Sequence, residues 1–317
     1  MRISLGGGGT DLPSYYRRFG GFLISAAIDK YVYTSVLEPY ADGIFLKYSK
    51  TEKVNLISKI KHPILREVLK KFKNNTKRIE ITTLAEIPSG TGLGSSGSFT
   101  TSLIKAMYQF NNKKINKYKL AEEACDIEIN KLKEPVGKQD QYIASFGGLK
   151  IFKIDKSGNV KVTTLKTSRN TYQKLQKNLL LFFTGYTRSS SLILKKQDDE
   201  TKSNSVETLE NLMEIKKIGL LSKKLIEGND LDQFGRLLDY HWQIKKKRAS
   251  NMSNKKIDNI YQDALNNGAL GGKLVGAGGG GFLMFYAKNP NQLRKRLKKF
   301  NINEVKFSFD EEGTKII

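Results

Sequence analysis

The spacing of apolar positions along the 317-residue chain shifts repeatedly between a period of two and a period of three to four, and this outlines its elements. Arg78 to Leu84 alternates and predicts a strand with Ile79 and Ile81 on one face. Phe99, Leu103, Ala106, Met107 and Phe110 then recur at helical spacing, which starts a helix around Ser96 to Ser98. Upstream, Arg2 opens a short strand that leads through four glycines to a helix start at Pro13, behind a capping Thr10 or Asp11. Phe22–Ile28, Tyr31–Glu38 and Ile44–Ser49 read as strands, the first two joined by a turn at Asp29-Lys30. From His62 a helix follows, with Leu65, Val68, Leu69 and Phe72 on one face.

The second half continues the mixture. Asn116 to Leu132 is helical with Leu120, Ala124, Ile127 and Leu132 aligned, and a short helix runs from about Gln139 to Gly147-Gly148. Leu149–Asp155 and Asn159–Leu165 predict a hairpin, and the pattern turns polar at Lys166–Asn170. Leu179–Thr184 is a buried strand, followed by helices near Asn204–Glu227, Leu231–Lys247 and Asn254–Asn267. Two strands flanking the glycines before Phe282, a helix at Asn291–Phe300 and a strand at Val305–Phe309 complete the chain. The class is α+β, and the length suggests two domains, 1–166 and 167–317.

Composition narrows the picture. With 38% hydrophobic and 27% charged residues and only short apolar runs, the chain reads as a globular protein with no membrane span. Met1 to Leu5 runs directly into glycines and is no signal peptide, and one cysteine, Cys125, excludes an internal disulfide framework; both fit a cytoplasmic protein. A net charge of +24 attracts anions, whether phosphorylated metabolites or nucleic acid. Basic residues cluster at Lys245–Arg248 and on the polar face of the Arg294–Lys299 segment, yet no basic stripe interleaved with aromatics or reader motif is present. Specific nucleic-acid binding is therefore the distant alternative.

Candidate chemistry concentrates in Pro88-Ser-Gly-Thr-Gly-Leu-Gly-Ser-Ser-Gly-Ser98, between the first strand and helix described above. Alternate glycines let a backbone approach a ligand closely, and a helix N-terminus offers free N–H groups and the positive end of the helix dipole. The loop thus reads as a polyphosphate cradle. It is not a P-loop, because no Lys follows its glycines, and it is not a dinucleotide fingerprint, because Ser95 stands where the third glycine would be. Gly276, Gly278 and Gly281 satisfy G-x-G-x-x-G, but a strand-like Phe282–Ala287 follows them instead of a helix. Glu128 lies near a helix C-terminus, where a carboxylate needs a facing cation or solvent. Asp140 is the conspicuous charge in a small, mostly apolar helix, and Arg188 lies in a Gly- and Ser-rich loop where it could hold an anion. His62 and His241 have no ligand-spaced partners, which gives both a structural role.

Three stretches in order resemble the GHMP kinases, the superfamily of galactokinase, homoserine kinase and mevalonate kinase. Pro88–Ser96 is similar to the second motif, P-x-G-x-G-L-G-S-S; Arg2–Tyr16 resembles the first, and Lys273–Gly281 the third, K-x-x-G-A-G-G-G-G. The resemblance implies a two-domain fold, an N-terminal ribosomal-protein-S5-like α/β domain and a C-terminal ferredoxin-like α+β domain. It also implies transfer of a phosphoryl group from ATP with Mg²⁺. On that carry-over Gly90, Gly92, Leu93, Gly94, Ser95, Ser96 and Gly97 hold the phosphates, and Ser96 and Glu128 share the metal. Asp140 acts as the base and Arg2 lies near the transferred group, with Lys138 behind it. Gly8, Gly9, Thr10 and Asp11 of the first motif, with Gly278 and Gly279 of the third, position the acceptor. The run Gly-Lys-Gln-Asp-Gln-Tyr looks like that of the sugar kinases rather than the mevalonate or homoserine kinases. The wording of the first motif looks most like the D-glycero-D-manno-heptose 7-phosphate kinases, with a galactose- or fucose-type kinase as the alternative. That would make the acceptor a phosphorylated sugar, with Arg188 and Lys138 as candidates for its own phosphate. A homodimer is compatible with this reading.

Overall fold

The structure is a computed structural model that describes residues 1–72, 77–185, 195, 198–199, 201, 206–248 and 252–317. Among the described residues, twelve strands form three four-stranded sheets. The first has the order β1-β2-β7-β8, from Arg2–Gly6, Gly21–Ala27, Leu149–Ile154 and Val160–Thr164, all antiparallel. The second, β3-β6-β4-β5, uses Val32–Leu37, Arg78–Ala85, Gly43–Lys47 and Thr51–Val54, with β4 and β6 parallel. Although β2 and β3 are consecutive, they lie in different sheets, and the turn at Asp29-Lys30 is no hairpin. The third, β10-β11-β9-β12, combines Ala269–Leu274, Phe282–Ala287, Leu179–Phe183 and Asn303–Glu304.

The continuous apolar runs have a direct cause, because both faces of their strands are covered. In β9, Leu179 and Leu181 enter one core while Leu180 and Phe182 enter another. In β11, Phe282, Met284 and Tyr286 join the first core, and Leu283, Phe285 and Ala287 the second. The first core also takes Ile3, Leu5 and Ile24, so it runs from the first sheet to the third. The other face of the third sheet is covered by α9 (Lys255–Asn266) and α10 (Pro290–Leu297) through Ile257, Ile260, Leu293 and Leu297, while α8 (Leu231–Lys246) enters the first core through Leu231, Phe234 and Leu238 and reaches the second with Trp242. A separate core packs Ile44, Leu46, Ile79 and Ile81 of the second sheet against α2 (Pro63–Lys71) and α3 (Ser95–Phe110).

Several boundaries differ from the sequence reading. The helix α1 (Pro13–Phe19) has Leu12 at its N-cap, because Thr10 and Asp11 are engaged elsewhere. The predicted Asn116–Leu132 helix is α4 (Lys117–Cys125) followed by a π-helical turn, Asp126–Lys131. Between the predicted boundary at Lys166–Asn170 and β9 lies an unpredicted helix, α6 (Arg169–Asn178), capped by Ser168 and buried only through Thr171, Leu175 and Asn178. That stripe is too narrow to register as a helical period. Of the expected strand Val305–Phe309, Val305 N–H extends the β12–β9 pairing to Leu181 O (2.8 Å) and Phe309, which is buried, makes a single bridge to Ile28, but the rest joins no sheet. The tail after it returns to the first half, where Gly148 N–H donates to Asp310 O and Thr314 N–H to Ala144 O (2.7 Å). The long helix α7 spans Val206–Glu227. No described helix is long and apolar enough to cross a membrane.

Candidate active site

The glycine-rich loop ends at Gly94, whose left-handed backbone (φ 75°) turns the chain into α3. Its rear is closed by the third motif. A Cβ on Gly92 would stand 2.5 Å from Val275 O, and one on Gly276 would run into the backbone of Gly92. Two strips of backbone therefore lie against each other, and only glycine fits on either side. On the other side, Arg2 N–H donates to Leu93 O (2.9 Å) and the Arg2 guanidinium donates to Gly92 O.

Arg2 also makes an ion pair, Nε to Asp140 Oδ1 at 2.7 Å. Asp140 is in the first turn of α5 (Gln139–Phe146), which packs against α3 so closely that its carboxylate lies beside Gly94. The pair fixes one carboxylate oxygen in place. Ser96 Oγ donates to Glu128 Oε2 at 2.7 Å, and Gln141 Nε2 donates to the other oxygen at 3.1 Å. The π-helical turn places Glu128 inward, where it is 1% exposed. Burial raises its pKa, the hydrogen bonds from Ser96, Thr100 and Gln141 pull it back, and the charge of Asp140 adds to the rise. All four residues that were expected to carry the chemistry lie within one site.

Asp11 is buried and accepts from Gly9 N–H and Gln139 N–H, both at 3.0 Å. Burial raises its pKa, which those two N–H groups partly offset, while nearby Asp140 raises it further. A cavity of about 110 Å³ is lined by Arg2, Ser4, Gly8, Gly9, Asp11 and Asp140. Its opposite wall carries His241, Lys245, Arg248 and Lys273. The buried hydroxyl of Ser4 has no hydrogen-bond partner, which suits a site whose polar ligand completes it.

Four expectations fall elsewhere. Thr10 is fully buried and bonds Gly7 O (2.7 Å) and Phe22 O (3.0 Å), so its hydroxyl holds the first loop instead of an acceptor. Lys138 is drawn away from the cavity by Glu122 (2.9 Å) and Gly158 O (2.7 Å). Gly278 packs against Met252, and Gly279 N–H donates to Met252 O (3.0 Å); Val275 to Ala277 line the cavity in their place. Arg188 lies outside the described residues. Of the two histidines, His62 is structural, at the cap of α2 with its ring between Tyr48 and Phe99. His241 instead faces the cavity, with Nδ1 3.2 Å from Lys273 Nζ.

The sequence reading missed Lys245, Arg248 and Lys273. The signal was present, because Leu238, Trp242 and Lys245 share the buried stripe of α8, with Arg248 one turn on. Burial first, then the neighbouring Arg248 and Arg2 charges, push Lys245 down to about 7. Burial likewise holds Lys273 well below its usual value, with Lys245 and Arg2 adding to the effect.

A glycine loop at a helix N-terminus, an Arg-paired carboxylate and a polar cavity beside them define an ATP-dependent phosphotransferase with a hydroxyl acceptor. Residues 55–148 match the GHMP kinases N terminal domain and residues 222–303 the GHMP kinases C terminal domain. The chain belongs to the GHMP kinases. It is 29% identical to the D-glycero-alpha-D-manno-heptose 7-phosphate kinase of Campylobacter jejuni, over 99% of this chain and 96% of that protein. It is 28% identical to the L-fucokinase/L-fucose-1-P guanylyltransferase of Bacteroides fragilis, over 94% of this chain but 35% of that longer protein. The crystal structure of a D-glycero-D-manno-heptose 1-phosphate kinase from Bacteroides thetaiotaomicron superposes with a TM-score of 0.81 at 24% identity. It covers 100% of this chain and 97% of that one, and shows the shared fold.

Proposed function

We propose that this kinase phosphorylates the anomeric hydroxyl of D-glycero-D-manno-heptose 7-phosphate, giving the 1,7-bisphosphate for nucleotide-activated heptose and surface polysaccharide synthesis in the cytoplasm. The whole-length similarity to the Campylobacter enzyme supports the substrate. The observation that carries the chemistry is the convergence of Asp140, Arg2 and the Ser96–Glu128 pair on the phosphate loop. Asp140 orients the acceptor hydroxyl and takes its proton, an anomeric hydroxyl being more acidic than other sugar hydroxyls. Arg2 holds Asp140 in place and stabilises the charge that develops on the transferred group. The backbone of Gly90 to Gly97 cradles the β- and γ-phosphates. Asp11, held by two backbone N–H groups, accepts from the sugar's hydroxyls beside Gly8, and Ser4 adds a second contact.

Ser96 and Glu128 fit Mg²⁺. Both are hard oxygen donors, Glu128 is buried, and no described cation is ion-paired with it. An ion held by these two side chains would take its remaining ligands from phosphate and water. When bound, the ion neutralises charge between the phosphates. The division into domains 1–166 and 167–317 belongs to the same reading, with the tail around Asp310–Thr314 crossing back, and a homodimer is compatible with it.

The test is ATP consumption with heptose 7-phosphate, free heptose, galactose and fucose as acceptors. Heptose 7-phosphate should give the highest kcat/KM. A higher value for galactose or fucose overturns the substrate assignment and leaves a general sugar kinase.

A further inference from the structure

The cavity has more cation on its walls than the phosphate loop needs. Arg2 already serves that loop and Asp140. Across from it, Lys245 and Lys273 are buried without a carboxylate partner among the described residues. Lys245 Nζ donates only to carbonyls, Leu274 O at 2.9 Å and Gly276 O at 2.5 Å, and Lys273 Nζ meets His241 Nδ1 at 3.2 Å. Arg248 adds a third buried cation, reaching over Gly9, where a Cβ would stand 2.8 Å from its Nη1. The carboxylates lining the cavity, Asp11 and Asp140, are held by backbone N–H groups and by Arg2. Burial and the neighbouring cations oppose the protonation of Lys245 and Lys273, and two such buried ammonium groups are costly unless a ligand supplies the opposite charge.

We propose that Lys245, Lys273 and Arg248 form a second phosphate pocket, which binds the dianionic phosphate that the acceptor carries at the end away from Asp140. The proposal rests on the sugar-phosphate reading above and assigns the residues that impose it. The geometry of the wall suits the role. Lys245 projects from the last turn of α8 and Arg248 from the turn just after it, Lys273 comes from β10, and Gly9 leaves room for the guanidinium. Planar Arg and compact Lys donors on three sides match a tetrahedral dianion. A dianion between them would restore full charge to Lys245 and Lys273, whose protonation burial and mutual repulsion otherwise oppose. His241, in contact with Lys273, orients that ammonium and stays neutral, because burial and the surrounding cations hold its pKa well below the usual value.

The experiment compares kcat/KM for heptose 7-phosphate with that for unphosphorylated heptose in the wild type and in Lys245→Met, Lys273→Met and Arg248→Met. The ratio should fall by about 10²-fold in each variant, because a buried charged contact is lost for one acceptor and not for the other. An unchanged ratio, including an equal loss on both acceptors as expected if these cations serve the transferred group, overturns the proposal. Inorganic phosphate without nucleotide gives a readout that does not depend on turnover. It should raise the melting temperature of the wild type, heptose 7-phosphate should compete with it, and Arg248→Met should abolish the effect. If the wild type phosphorylates neither sugar, the substrate reading fails, and phosphate protection alone decides the pocket. Absence of protection in a folded wild type then refutes it.

Discussion

Gly97→Ala separates two opposing effects at the heart of the site. Gly97 lies in the first turn of α3 with φ outside the left-handed region, so alanine should stabilise the helix by about 1 kcal/mol on propensity alone. The surroundings forbid this gain. A Cβ there would stand 2.7 Å from Asp140 Cβ, 2.8 Å from Asp140 C and 2.9 Å from Gln141 N, and two of these three atoms are backbone of α5. Carbon contacts settle near 3.5–4.0 Å, so the two helices must part by about 1 Å along that line. Overpacking of this kind costs about 1–3 kcal/mol, which leaves a net loss of up to about 2 kcal/mol after the helix gain. At about 2–4 °C per kcal/mol, the melting temperature should fall by a few degrees. The displacement also carries Asp140 away from Gly94, and a misplacement of about 1 Å costs about 10²-fold in turnover. The assay is thermal unfolding alongside kcat at saturating ATP and acceptor. A variant that melts higher than the wild type and turns over normally would refute the reasoning, because the α3–α5 contact would then not constrain the site.

Three further outcomes are expected. Asp140→Asn should lower kcat by about 10²-fold or more while nucleotide binding, read by titration, stays intact; near-normal turnover removes Asp140 from the mechanism. Glu128→Gln and Ser96→Ala should each raise the Mg²⁺ needed for half-maximal rate, and the double variant should fall short of additivity because both act on one ion. Lys245 makes stability depend on pH in the alkaline direction. Its folded pKa of about 7 lies below the unfolded 10.5, so between these values the unfolded chain binds more protons and stability rises with pH, by up to about 5 kcal/mol. Unfolding midpoints from pH 6 to 10 should show this rise in the wild type and a flatter profile in Lys245→Met; parallel profiles would mean that the ammonium is solvated.

The sequence made the covered strands and the three glycine motifs legible because each carries its signal locally. The unbroken apolar run Leu179–Phe183 and the glycines at alternate positions in the loop are statements about neighbouring residues. The candidate residues that the structure brings together, Asp140, Glu128, Ser96, Arg2 and Asp11, stood out through position in a motif or a charge in apolar company. What escaped was decided at long range. Thr10 could not be distinguished from an acceptor contact until Phe22 was seen to use its hydroxyl from the next strand. Lys138 sits next to the catalytic turn in sequence, yet Glu122 on α4 draws it away. The run Lys245–Arg248 reads in the sequence only as a local basic cluster, whereas the fold turns Lys245 and Arg248 inward and leaves Lys247 in solvent. The π-helical turn left no trace in the pattern, since one extra residue per turn shifts the buried face without changing its composition.

The backbone contact between Gly92 and Gly276 has a kinetic side. The loop's own sequence is local, but the support that fixes its rear arrives from 184 residues further along the chain, on the connection between β10 and β11. Contacts of such separation form only after a large loop has been closed against its entropy. The phosphate cradle is therefore among the last parts of the molecule to take its final shape. On the proposed function, a nascent first half should bind nucleotide only after the third sheet has docked, which nucleotide titration of a fragment ending before β9 would check.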